Sequence, residues 1–116
     1  MNTLPSKVFL LLKQAEDDYK NGYYDKAISA AYFSCRMASE YLLKKLNAPI
    51  PRRDDKLANA IGNIVRKEIT NMLKRLYYYR IHADYSENPS PMEIAQESLN
   101  LATYIISSIE KFLHEL

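Results

Sequence analysis

The sequence predicts an all-α fold, an antiparallel up-and-down bundle of four to five helices forming one domain over residues 1–116. Three observations point there. Apolar residues recur at three- and four-residue steps, as a helix with one buried face requires. The five prolines fall before or between those stretches. The alternation and turn pairs that mark strands are nearly absent.

Each element has its own signals. The first helix begins near Pro5, with Thr3 or Asn2 as its cap, and keeps Val8, Leu11, Leu12, Ala15 and Tyr19 on one face. Gly22 ends it in a left-handed cap. Asp25 is the N-cap of a second helix reaching about Leu46, whose stripe of Ala27, Ala30, Ala31, Ser34, Ala38, Tyr41 and Leu42 is small enough for close packing. Asn47 to Arg53, with Pro49 and Pro51, is a linker, and Asp54 or Asp55 caps the helix after it. From Lys56 to about Asp84 the pattern is helical, with a break between Gly62 and Lys67. Ser90-Pro91-Met92-Glu93 reads as a capping box opening the last helix, which presents Leu99, Ala102, Ile105, Ile106, Ile109, Phe112 and Leu113 to the core. Gly22 to Ala27, followed by Ala31 and Phe33, has the look of one tetratricopeptide unit. No second copy appears about 34 residues on, so an array is rejected.

Composition excludes several classes. With only Gly22 and Gly62, no Gly-rich phosphate loop can be written. One cysteine, Cys35, rules out an intrachain disulfide framework or a Cys-rich zinc site, and its place in a small-residue helix reads as a buried, inert thiol. No metal and no cofactor is expected. The lone thiol suits the cytoplasm, and the apolar run Val8–Leu12 is too short for a signal core or membrane span. Ten tyrosines against three phenylalanines and no tryptophan suggest half-buried, partner-facing surfaces.

The net charge of +2 is unevenly spread. Residues 44–80 carry ten basic and three acidic side chains, whereas residues 81–116 carry six acids against Lys111. The basic segment is either a set of solvated helix faces or an anion-facing surface for phosphate. On a helical wheel of the fourth helix, Leu73, Leu76 and Ala83 fall within about 40° of Ile69, with Met72 at the flank. Arg75, Tyr78, His82 and Tyr85 gather on the far side. Arg75 and His82 lie nearly above one another, about 10 Å apart along the axis, so both can address one phosphodiester. Lys74, Tyr78 and Tyr85 are candidate nucleotide contacts. Arg80 falls near the centre of the apolar stripe, where a free guanidinium is costly, and Asp84 four residues on is its expected brace.

Arg80-Ile81-His82-Ala83-Asp84-Tyr85 resembles the Arg-x-x-Ala-Asp-Tyr signature of one branch of the HEPN domains, small bacterial and archaeal helical bundles. Ala30-Ala31-Tyr32-Phe33 and Ala38 to Leu43 are similar to that family's second helix, and Ser90-Pro91 with Ala95 to Phe112 to its last. The resemblance implies a homodimer, often encoded beside a minimal nucleotidyltransferase as a toxin–antitoxin pair. It also implies a metal-independent ribonuclease using an arginine and a histidine with four to six residues between them, which Arg75 and His82, with six between, satisfy at the outer limit. A polar residue often follows that arginine in active members; here Leu76 does. A tyrosine near the motif, with Tyr85 the closest match, is implied as an acceptor of nucleotidyl groups.

Three readings therefore stand side by side: RNA cleavage by Arg75 and His82, a non-catalytic module binding nucleotide or a nucleotidyltransferase, and a purely structural helical subunit. No membrane partner is expected.

Overall fold

A computed structural model describes residues 3–116, which form five helices. They are α1 (Ser6–Lys20), α2 (Tyr24–Lys45), α3 (Asp54–Ile64), α4 (Glu68–Tyr85) and α5 (Met92–His114). No strand occurs among the described residues, and the all-α bundle read from the sequence is what the chain adopts. The four long helices pack side by side, while the short α3 folds back mainly onto α4.

α2 is the central element and touches each of the other four helices. Its buried surface is mostly small: Ala27, Ala30, Ala31, Ser34, Cys35, Ala38 and Ser39. Buried hydroxyls there close on their own helix, Ser34 donating to the Ala31 carbonyl at 2.7 Å and Ser39 to the Cys35 carbonyl at 2.8 Å. Neither leaves an orphaned polar group in the core. α5 meets this surface with Leu99, Ala102, Ile105, Ile106 and Ile109, and Cys35 lies against the Ala102 carbonyl. Burial pushes the Cys35 thiol far above its ordinary range, as expected of an inert core residue.

The breaks are built locally. After α1, the Tyr23 N–H reaches the Asp18 carbonyl and the Gly22 N–H that of Tyr19, with Gly22 at φ +80°. This paired pattern needs a left-handed residue, which glycine supplies without strain. The same pattern ends α2, where Asn47 at φ 54° takes the glycine's place and Ala48 bonds back to Leu43. Between α3 and α4 the chain turns at Val65–Lys67, inside the interval expected for the break.

The N-terminal caps differ from expectation. Pro5, Tyr23, Arg53 and Pro91 occupy the cap positions of α1, α2, α3 and α5, none with a side-chain cap bond. Thr3 caps nothing, and Asn2 lies outside the described residues. Asp25, inside the first turn of α2, instead accepts the Ser90 backbone N–H at 3.1 Å, tying the α4–α5 loop to the start of α2. Ser90 is thereby buried and its hydroxyl makes no cap, so the capping box is not formed. Asp54 turns to Arg36 of α2, whereas Asp55 takes the Lys56 N–H and Arg53. Long-range bonds took the carboxylates of Asp25 and Asp54, which local rules assign to caps.

Gly62 is buried where α3 meets α4. A Cβ there collides with the Thr70 hydroxyl, itself bonded to the Ala58 carbonyl at 3.2 Å, and comes within 2.9 Å of the Thr70 Cβ. Gly62→Ala is expected to destabilise the protein by about 1–3 kcal/mol through overpacking, measured as a lower urea midpoint at unchanged slope. A midpoint equal to the parent's means that this helix pair does not pack so closely in solution.

Candidate functional site

The buried face of α4 runs through Ile69, Leu73 and Leu76 and stops there. From Tyr77 to Tyr85 no side chain is fully buried, and Ala83, assigned to the core stripe by its spacing, is only half-buried. The last nine residues of α4 thus leave the core and present both sides to their surroundings.

On the inner side, Arg80 packs against α2. Its guanidinium lies 4.9 Å from the Phe33 ring centre and 5.8 Å from that of Tyr32, with the Tyr85 ring at 5.9 Å. Its Nε stands 2.8 Å from Asp84 Oδ2, so the expected brace is present, with the two side chains 19% and 26% exposed. The angle is too bent for a proper hydrogen bond, and the buried Nε–H has no aligned acceptor. Charge attraction and three aromatic faces hold this arginine. Beside it, Arg36 of α2 pairs with Glu40 at 2.6 Å and with Asp54 of α3 at 2.7 Å. Burial raises the Asp54 carboxyl above its ordinary value, opposed by the positive charge of Arg80. A chain of alternating charges therefore links α2, α3 and α4.

The outer side carries the residues singled out for chemistry. Arg75, Tyr78, His82 and Tyr85 are all exposed, Tyr78 and Tyr85 by more than 70%. Arg75 is not free: its Nη1 donates to Glu97 Oε1 of α5 at 3.0 Å, and the Tyr79 hydroxyl donates to Glu97 Oε2 at 2.8 Å. Burial and this bond to a carboxylate raise the Tyr79 phenol above its usual range. Among the described residues the imidazole of His82 finds no hydrogen-bond partner; its backbone carbonyl accepts the Ser86 N–H at 2.9 Å. Lys74 and Tyr78 meet in one groove of about 440 Å³, with Asp54, Asp55, Tyr77 and Ile81 as its other walls. Tyr85 is not part of that groove and stands instead beside Arg80.

Glu97, Tyr79, Arg36 and Asp54 are the participants that sequence reasoning missed. Spacing within one helix shows which residues share a face, but not which residue of another helix arrives opposite. Only charge gave a signal: a basic segment followed by an acidic one invites pairing across helices.

Among the described residues, no three His, Cys, Asp or Glu side chains are grouped to hold a metal ion, and no helix is long and apolar enough to cross a membrane. The family model described as HEPN domain matches residues 10–112, nearly the whole chain. No curated protein matches it.

Because Glu97 disfavours the Tyr79 phenolate both by charge and by accepting its proton's bond, Glu97→Gln is expected to move the Tyr79 titration to lower pH. NMR of labelled tyrosine rings resolves it from the other nine tyrosines. The substitution should lower stability by about 1 kcal/mol. An unmoved titration means that the carboxylate does not bridge Tyr79 in solution.

Proposed function

Because the chain belongs to the HEPN domain family, we propose that it acts as a homodimeric, toxin-like ribonuclease controlled by a minimal nucleotidyltransferase partner. The observation that carries this reading is the uncovered outer face of α4. There Arg75, Tyr78, His82 and Tyr85 reach solvent on consecutive turns, bordered by the half-buried Tyr77 and Ile81. An exposed strip joining a cation, an imidazole and aromatic rings suits a single-stranded RNA backbone and its bases. RNA as substrate places this work in the cytoplasm.

The chemistry comes from the two side chains. The neutral imidazole of His82 takes the proton of a ribose 2′-hydroxyl, whose oxygen then attacks the adjacent phosphorus. The bond from phosphorus to the 5′-oxygen breaks, and that oxygen takes a proton from a protonated histidine. One chain supplies one such histidine, so a two-fold dimer with both α4 helices at its interface provides the second. The products are a 2′,3′-cyclic phosphate and a 5′-hydroxyl. Arg75 stabilises the charge that builds on the phosphorus oxygens. Its bond to Glu97 uses one of five guanidinium N–H donors, which leaves others for the phosphate.

The same Arg75–Glu97 pair favours a second reading, a non-catalytic module that binds nucleotide or the transferase, since a nearby carboxylate weakens the pull on phosphate. In that reading Tyr85, 72% exposed, is the acceptor of a nucleotidyl group from the partner enzyme.

The two are separated by cleavage assays. His82→Ala and Arg75→Ala are each expected to slow RNA cleavage about 100-fold or more, His82→Ala at unchanged thermal stability and Arg75→Ala with a loss of at most about 1 kcal/mol from its exposed pair with Glu97. RNA with a deoxyribose at the scissile position should remain uncut. Cleavage by His82→Ala at the parental rate removes this histidine from the mechanism. For the second reading, incubation with the cognate transferase and nucleotide is expected to add one nucleotidyl mass, lost in Tyr85→Phe.

A further inference from the structure

We infer that the groove between the start of α3 and the outer face of α4 is a nucleobase pocket that prefers guanine, an assignment resting on the reading of this chain as an RNA-handling protein. Its six walls are Asp54, Asp55, Lys74, Tyr77, Tyr78 and Ile81, around a volume of about 440 Å³. That volume lies within the ordinary range of small-ligand sites, roughly 300–1,000 Å³. The walls divide by chemistry. Tyr77 and Ile81 are half-buried and make an apolar floor. Tyr78 is 71% exposed and its aromatic neighbour Tyr79 lies tilted at 6.5 Å between ring centres, so most of its ring is accessible for stacking.

The carboxylates decide which base fits. Asp54 and Asp55 stand in consecutive positions at the first turn of α3. Arg36 holds Asp54 through Oδ1, and Asp55 is held by Arg53 and by the Lys56 N–H. Asp54 is thus held in a half-buried pair and Asp55 in an exposed one before a ligand arrives, and each carboxylate oxygen keeps acceptor capacity beyond these bonds. Guanine presents two adjacent donors, N1–H and the 2-amino group, to such acceptors. Adenine and cytosine each present one amino group beside a ring acceptor. Uracil presents one N–H between two carbonyl oxygens, which carboxylates repel. The order of preference is therefore guanine first and uracil last.

Lys74 completes the assignment. It is the charged wall of the groove that makes no ion pair among the described residues, and it precedes Arg75 directly on α4. A base seated on Tyr78 sends its phosphate to Lys74, alongside the strip where Arg75 and His82 stand. Neighbouring nucleotides of one RNA strand can then occupy the groove and that strip together.

The test is binding of guanosine and uridine 5′-monophosphates to the intact protein at low salt, followed by backbone NMR. Guanosine monophosphate is expected to bind about tenfold tighter or better, the discrimination typical of a paired donor contact, and to shift residues 54–56 and 74–81. Asp55→Asn and Asp54→Asn should erase the preference. Tyr78→Ala should weaken all nucleotides while keeping their order, and Lys74→Ala should weaken the monophosphate but not guanosine. Tyr78 is exposed and Asp55 lies outside the Arg36 pair, so their variants report on binding even if Asp54→Asn fails to fold. Equal affinity for the two nucleotides, or shifts confined to other helices, overturns the assignment. No bond is broken in this measurement. A guanine preference without RNA cleavage keeps the groove and removes the nuclease, and cleavage without any preference does the reverse.

Discussion

A helix that touches four others has to be thin. α2 meets this constraint by burying alanines, serines and a cysteine, so that α1, α4 and α5 approach its backbone closely. Its larger apolar side chains, Ile28, Leu42 and Leu43, are buried as well, and Tyr32, Phe33 and Arg36 are the ones that meet α3 and the end of α4. Arg36 takes the first turn of α3 through Asp54, while Tyr32 and Phe33 take the guanidinium of Arg80. The central helix thus fixes where α4 points after it has left the core.

Charge is organised by the same contacts. The segment from residue 44 to 80 reads as strongly basic along the chain, yet in the fold Arg75 meets Glu97, Arg80 meets Asp84, and Arg66 approaches Glu68 at 3.6 Å. Asp54, itself within the segment, is answered by Arg36 from outside it. Arg75 and Arg80 are thus answered by acids from outside the segment, whereas Lys44, Lys45, Arg52, Lys56, Lys67 and Lys74 make no ion pair among the described residues, so most of the positive excess survives folding. Lys74 stands beside the exposed Tyr78. Pairing across helices removes single guanidinium groups from a segment that stays basic.

How much of the molecule is legible in the sequence depends on the range of the forces involved. Helix faces depend on residues three and four apart, and the buried sides of α1, α2 and α5 agree with their spacing. Gly22 and the Asn47 linker depend on local backbone conformation and are equally readable. The Arg80–Asp84 brace spans one helical turn and is also visible. The N-caps are not, because Asp25 and Asp54 found partners 65 and 18 residues away, which no local rule weighs. Glu97 escapes for the same reason: its bond to Arg75 depends on the register between α4 and α5. Ala83 is misplaced because the wheel assumes that the core runs the full length of the helix, whereas it ends at Leu76.

The two faces of α4's last turns form a single device. Arg80 and His82 are separated by about 200° on the helix, so a side chain anchored on α2 holds its near neighbour facing outward. An exposed helix end without such an anchor frays, and any group on it samples many positions. Here Tyr32 and Phe33 of α2 and the Asp84 charge hold Arg80 against the bundle, while Tyr85, the third ring beside it, also reaches solvent. A half-buried brace on one side and polar side chains displayed on the other is an arrangement that suits a preorganised site. It accounts for a guanidinium near the apolar stripe, where a bulkier hydrophobe fills space equally well but cannot hold Asp84. The Arg-x-x-Ala-Asp-Tyr pattern is, for this reason, first a device of geometry. It ties the end of α4 to α2 outside the core and sets which residues that end presents to solvent.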